Sequence, residues 1–144
     1  DMIETFKQKK INYYANTYPL PTTFPDGMDI EIFTKKTLSE TYREAKLPSE
    51  KEHVTPYMYK NKRFKTLKKD NRNDLSNFRF CIDYKEDYKL LCNIINSYNS
   101  KIFDLSMKSL VNYVKKNPHL INYQKEIKRN EGWSSALKKD KKYI

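Results

Sequence analysis

In "FRFCIDYKEDYKLL", residues 78 to 91, the spacing of the apolar side chains changes abruptly. Phe78, Phe80 and Ile82 alternate with Arg79, Cys81 and Asp83, the period of a strand with one apolar face. Tyr88, Leu91, Cys92 and Ile95 then fall at i, i+3, i+4 and i+7, which predicts a helix packing through one stripe. A chain that passes from strand to helix within a few residues suits a layered fold in which helices cover a sheet. The alternation recurs elsewhere. "INYYAN" and "RFKTLKK" read as short strands, and "MDIEIF" sets Met28, Ile30 and Ile32 against Asp29 and Glu31. "DMIETFKQKK" reads as a helix, and Thr34 is placed to cap "KKTLSETYREA" with Leu38, Tyr42 and Ala45 inward. Ser49 and Glu52 have capping-box spacing, while Pro56 argues against a long helix there. Asp104 is expected to cap a helix with Met107, Leu110, Val111 and Val114 inward, ended by Asn117-Pro118. A last, partly helical segment is expected to break at Gly132. The class is α/β.

At 144 residues the chain suits a single domain spanning residues 1–144. Hydrophobic residues are 38%, polar for a globular protein yet well above a disordered composition. Cys81 and Cys92 fall on the strand and helix just described and read as small core residues of a reduced, cytoplasmic protein. No stretch has the length of a membrane span or the form of a signal peptide, so no membrane partner is expected. The chain opens on Asp1 within a helix-like stretch, and a missing beginning is the simplest explanation.

The net charge of +11 raises the question of nucleic acid. Lys outnumbers Arg by 24 to 5, and the lysines are scattered between apolar residues along the whole chain. Bidentate phosphate and guanine contacts favour Arg, and scattered lysines favour solvated helix faces, so no nucleic-acid partner is expected. Gly27 and Gly132 are the only glycines, which excludes a Walker loop and a dinucleotide fingerprint in this chain. His53 and His119 do not combine with the cysteines at zinc spacing, and neither has local support as part of a hydrolytic triad. The carboxylates are better placed: Asp29 and Glu31 share one strand face, and Asp83 ends a strand. Open α/β sheets bind ligands outside the carboxyl ends of their strands. The plainer reading of Asp83 is a helix cap or turn residue, and of Asp29 and Glu31 a solvated strand face.

Four ordered segments carry a resemblance: "PDGMDIEIF", "SEKEHVTPY", "RFCIDYKED" and "NEGW". They match patterns of the type P-D-G-x-D-x-E-x-F, S-E-x-E-H-V-T-P-Y, R-x-T-V-D-x-x-E-D and N-E-G-[YW]. In this order they resemble the cytidylyltransferase-like family of spore-coat polysaccharide biosynthesis protein F, related to the CMP-sugar-acid synthetases. Cys81 stands where the family commonly has Thr, and Trp133 where it often has Tyr. The resemblance covers the C-terminal part of the family; its N-terminal nucleotide-binding part has no counterpart here.

The resemblance implies the C-terminal part of a Rossmann-like three-layer α/β/α nucleotidyltransferase with a mixed sheet, of the nucleotide-diphospho-sugar transferase type. It implies activation of a sugar or sugar acid by a nucleoside triphosphate, CTP first among candidates, for surface polysaccharide synthesis. Asp83 takes the place of a carboxylate that holds Mg²⁺ against the triphosphate, as catalytic and metal-binding residue. Asp29, Glu31, Glu50 and His53 become candidates for the acceptor pocket. Glu86 and Asp87 read instead as helix-dipole compensation, and the roles of Asn130, Glu131 and Gly132 stay open. For half a sheet the expected partner is a second copy, giving a homodimer. Two alternatives stand beside this reading: a glycosyltransferase of similar fold, and a non-catalytic basic binding module.

Overall fold

The structure, a computed structural model, describes residues 1–127, 129 and 131–143, with the backbone alone of Glu131. In chain order its elements are α1 (Met2–Lys9), β1 (Tyr13–Ala15), β2 (Glu31–Phe33), α2 (Lys35–Glu44), α3 (Pro48–His53), α4 (Pro56–Lys60), β3 (Thr66–Lys68), α5 (Lys85–Tyr98), α6 (Met107–Lys116) and α7 (Glu131–Asp140). Asn99–Asp104 and Pro118–Glu126 are 3-10 helical. The chain sorts into two compact units, one of Asp1–Phe24, Asp29–Leu75 and Arg129–Ile144, the other of Pro25–Met28 and Ser76–Lys128.

The first unit holds the sheet, which is mixed as expected. Its order is β2-β1-β3, with β1 antiparallel to β2 and parallel to β3. As the middle strand, β1 is buried along its length. Tyr13 and Ala15 join Met58 of α4 and Phe64 in the core, flanked by Phe33, Tyr57 and Tyr59. Only Glu31–Phe33 of "MDIEIF" pairs as strand, though Asn16 extends the contact: its side-chain oxygen accepts the Ile30 N–H at 2.7 Å. Thr34 caps α2 by accepting the Thr37 N–H at 3.0 Å, as its sequence suggests. The apolar stripe expected of α2 does not face inward. Thr37 and Thr41 are buried instead, with Ala45, while Tyr42 is 87% exposed. Small side chains suit the face on which α2 packs against α4.

Pro48 at the first helical position starts α3 one residue ahead of Ser49. The cap is then made by Glu50, whose Oε2 accepts the N–H groups of Lys46 and Leu47 at 3.0 and 3.1 Å. Ser49 is free to bind elsewhere: its N–H and hydroxyl both donate to Asp140 of α7, at 2.9 and 2.5 Å. Gly132 lies inside α7 and does not break it.

The second unit corrects the reading of residues 78–83. They form no strand among the described residues, only a single parallel bridge between Asp26 and Arg79. An extended segment becomes a strand only where a neighbour supplies a ladder, and here the turn at Gly27 brings one residue alongside. α5 exists as expected but is turned: Asp87, Leu90 and Ile94 are buried, and Tyr88 and Ile95 are 63% and 49% exposed. Cys81 and Cys92 are half-buried free thiols. α6 buries Val111 and Val114 and is capped by Ser106, which accepts the Ser109 N–H at 3.1 Å; Asp104 ends the preceding 3-10 turn instead.

Candidate functional site

The first unit contains a cavity of about 210 Å³ lined by Thr17, Tyr18, Asp29, Glu31, His53 and Thr55, with Pro56. Asp29 and Glu31 reach it from β2 and the extended residues before it, where alternate residues share a face. Each carboxylate is held by one oxygen. Oδ1 of Asp29 accepts the Thr17 hydroxyl at 2.5 Å and lies 3.4 Å from Nη2 of Arg129. Oε1 of Glu31 accepts the Tyr13 hydroxyl and, at 2.9 Å, that of Thr55. Burial, then the bond to Glu31, raises the Tyr13 phenol far above its usual range, so it remains a donor.

His53 and Thr55 flank Val54, which has φ 61° and ψ −60°. The Thr55 N–H donates to the His53 carbonyl at 2.6 Å, closing a three-residue γ-turn with positive φ. That conformation is strained for a β-branched residue. The ring of His53 meets the edge of Trp133 at 5.3 Å between centroids. Trp133 also meets Tyr18, which stacks on Tyr59 at 5.2 Å and 5°. Among the described residues, Nε2 of His53 is buried without a hydrogen-bond partner. Asp29, Glu31 and His53 thus line one cavity, and Glu50 is not in this lining. It lines a wider groove of about 1100 Å³ beside Leu38, Tyr42 and Val54.

In the second unit the Arg79 guanidinium gathers three carboxylates. Nη1 donates to Asp26 at 2.8 Å, Nε and Nη2 donate to Asp87 at 3.3 and 3.0 Å, and Nη2 also pairs with Asp83. Asp87 accepts as well the N–H groups of Asp83 and Tyr84 and the hydroxyl of Tyr123, at 3.0, 3.1 and 2.9 Å. Burial pushes the Asp87 carboxyl up, and these bonds, Arg79 foremost, outweigh it and hold the group below its usual value. Asp87 is therefore a structural hub, more than a dipole charge at the start of α5. Asp83 is different: its side chain is 65% exposed and, among the described residues, pairs with Arg79 alone.

For Mg²⁺, the ion the resemblance implies, Asp83 offers one exposed carboxylate. No group of three or more His, Cys, Asp or Glu side chains able to hold a metal occurs among the described residues. A single carboxylate, already paired with Arg79, would supply only a small share of the octahedral oxygen set that Mg²⁺ takes.

No protein-family model matches the chain. It is similar to a solved cytidylyltransferase from Leptospira borgpetersenii serovar Hardjo-bovis, at 36% identity and a TM-score of 0.72, over 83% of this chain and 50% of that one. This likeness supports the cytidylyltransferase resemblance and the α/β fold. The chain is also 26% identical, over 106 residues, to an uncharacterized protein of Methanocaldococcus jannaschii, covering 72% of this chain and 43% of that protein. The chain thus spans about half the length of the relatives it matches. No described helix is long and apolar enough to cross a membrane.

Sequence reasoning missed Thr17, Tyr18, Thr55, Arg129 and Trp133 around the cavity. Thr55 and Trp133 stand inside quoted motifs, a usable signal. Nothing in the sequence singles out Thr17 or Arg129. Asn130 lies outside the described residues, as does the side chain of Glu131.

Proposed function

We propose that this chain is the C-terminal portion of a nucleotidyltransferase of the cytidylyltransferase kind, which activates a sugar or sugar acid with a nucleoside triphosphate for surface glycan synthesis in the cytoplasm. The observation that carries this reading is the likeness, at 36% identity and a TM-score of 0.72, to a protein described as a cytidylyltransferase. In this reading the mixed sheet is part of a larger Rossmann-like, three-layer α/β/α sheet.

In this reading the cavity of Asp29, Glu31 and His53 in the first unit would hold the acceptor; in the second unit, Asp83 would be a ligand of Mg²⁺. The ion, when bound, neutralises charge on the phosphates as pyrophosphate leaves. What the chain's own residues supply is positioning. Asp29 and Glu31, each anchored through one oxygen, orient acceptor hydroxyls without having to reorganise. Arg79 keeps Asp83 in place before the nucleotide arrives.

The test is release of pyrophosphate by the full-length protein, given CTP, Mg²⁺ and a panel of sugars and sugar acids. Release that depends on the acceptor supports the reading. Transfer of a sugar from a nucleotide sugar, with no pyrophosphate formed, would place the protein among glycosyltransferases instead.

A further inference from the structure

The groove of about 1100 Å³ in the first unit has no part in the proposed reaction. Leu38 and Tyr42 of α2 and its C-cap Ala45 line it at i, i+4 and i+7, the spacing of a stripe made for burial. Of the three, only Ala45 is covered. Leu38 is 38% exposed, Tyr42 87% and Val54, in the same lining, 40%. Small-molecule sites enclose most of their ligand, in about 300–1000 Å³. Walls left this open suit instead a helix laid along about two turns of α2, with apolar anchors at matching spacing. Exposed Tyr side chains are common anchors of such contacts.

Charge selects among helices. The four carboxylates of α2 and α3 are engaged: Glu40 and Glu44 with Arg63, Glu52 with Lys139, and Glu50 with the N–H groups of Lys46 and Leu47. Arg43 and Lys51, the cations of the lining, form no ion pair among the described residues. They fit a partner whose apolar stripe is bordered by carboxylates. A second copy, with a net charge of +11, brings the wrong sign.

We propose that this groove docks an amphipathic helix of another protein, through an apolar stripe flanked by Asp or Glu. The proposal is independent of the nucleotidyltransferase reading.

The probes are three fluorescein-labelled peptides of about 18 residues in an alanine-rich, helix-forming background. The first carries Leu at i, i+4, i+7 and i+11 with Glu on both flanks. The second has Lys for each Glu, and the third has the composition of the first with its Leu residues scattered. Anisotropy is read with the full-length protein. The first peptide should bind saturably, at least about tenfold tighter than either of the others at low salt, and its margin over the lysine peptide should shrink as salt rises. Tyr42→Ser should weaken it about tenfold. Arg43→Glu with Lys51→Glu should remove the preference for Glu flanks, and both variants should keep the melting temperature. Lys108→Glu with Lys116→Glu, on α6, changes the net charge equally and should leave binding within about twofold. A loss in this control as large as in the groove variant overturns the proposal, because bulk charge then does the binding. Binding to the 144-residue chain but not to the full-length protein overturns it too, since the rest of the chain is then the occupant. Vesicles of phosphatidylcholine and phosphatidylserine in equal parts, and sedimentation, test the other occupants. If Tyr42→Ser abolishes vesicle binding or self-association while no peptide binds, a membrane or a second copy takes the groove and the proposal falls. It falls equally if none of the three peptides binds.

Discussion

Asp83 and Asp87 are four residues apart in the chain and share Arg79, yet their environments assign them opposite work. Asp83 is exposed and expendable for folding. Asp83→Asn should change stability by less than about 1 kcal/mol, as for most exposed ion pairs. If the residue holds Mg²⁺, turnover of the full-length protein should fall roughly a hundredfold, about 3 kcal/mol at the transition state. Near-normal turnover at limiting Mg²⁺ would remove the metal-ligand role. Asp87→Asn should do the reverse of what a dipole charge would do. Its side chain is 1% exposed and accepts from a guanidinium, two backbone N–H groups and a phenol, so losing the charge costs roughly 3 kcal/mol. The pH dependence follows in sign. A carboxyl held below its unfolded value stabilises above that value, near pH 4, and the contribution is lost as pH falls through the folded pKa. Wild type should therefore lose stability steeply below about pH 4, and Asp87→Asn should flatten that limb of the curve.

Val54 belongs to the same scale. With φ 61° it carries strain of roughly 1–3 kcal/mol, and Gly would remove it while losing about 1 kcal/mol to chain entropy. Val54→Gly should hold or raise the melting temperature, and a drop of several degrees would show that the turn is not strained. That strain lies between two cavity residues, where a fixed γ-turn sets the spacing of His53 and Thr55.

At the scale of elements, the second unit depends on one close approach. Gly27 has φ +88°, and a Cβ there would lie 2.7 Å from the backbone carbon of Phe80. The approach brings the Asp26 N–H to the Phe78 carbonyl at 2.9 Å and the Phe80 N–H to the Asp26 carbonyl at 2.8 Å. Gly27→Ala must both strain the backbone and push these segments apart, so it should cost roughly 2 kcal/mol or more and weaken the Asp26–Arg79 pair. Thermal melting measures the cost; an unchanged midpoint would mean that the turn rearranges freely. The motif "PDGMDIEIF" is thereby divided. Asp26 and Gly27 build the second unit, and Asp29 and Glu31 furnish the cavity of the first.

At the scale of the whole molecule, both outer strands of the three-stranded sheet lack a further partner among the described residues. Large apolar side chains stay exposed in each unit: Leu38, Tyr42 and Val54 in the first, Ile82, Tyr84, Tyr88 and Ile95 in the second. Open edges and apolar faces favour association. The 144-residue chain should sediment as a dimer or larger species, and a monomer in dilute solution with one cooperative melt would contradict this. Spanning half of the cytidylyltransferase it resembles, the same chain should release no pyrophosphate from any nucleoside triphosphate with Mg²⁺ and a sugar acceptor. Sustained release would show that it holds a complete site.

What the sequence alone determined was local and periodic. The capping of α2 by Thr34, the end of α6 at Asn117-Pro118, the break between α3 and α4 at Pro56 and the three short strands follow from side-chain chemistry within a few residues. The ordered motifs also singled out Asp29, Glu31, Glu50 and His53, of which the cavity of the first unit gathers all but Glu50. Tertiary structure alone decided which faces of α2 and α5 turned inward. Apolar spacing favoured Tyr88, Leu91 and Ile95 on α5 and Leu38 and Tyr42 on α2, but a buried carboxylate that must reach Arg79 fixes one helix, and close packing through threonines fixes the other. It also decided that residues 78–83 are extended without being a strand, because a strand exists only by its neighbours, and periodicity carries no record of who they are.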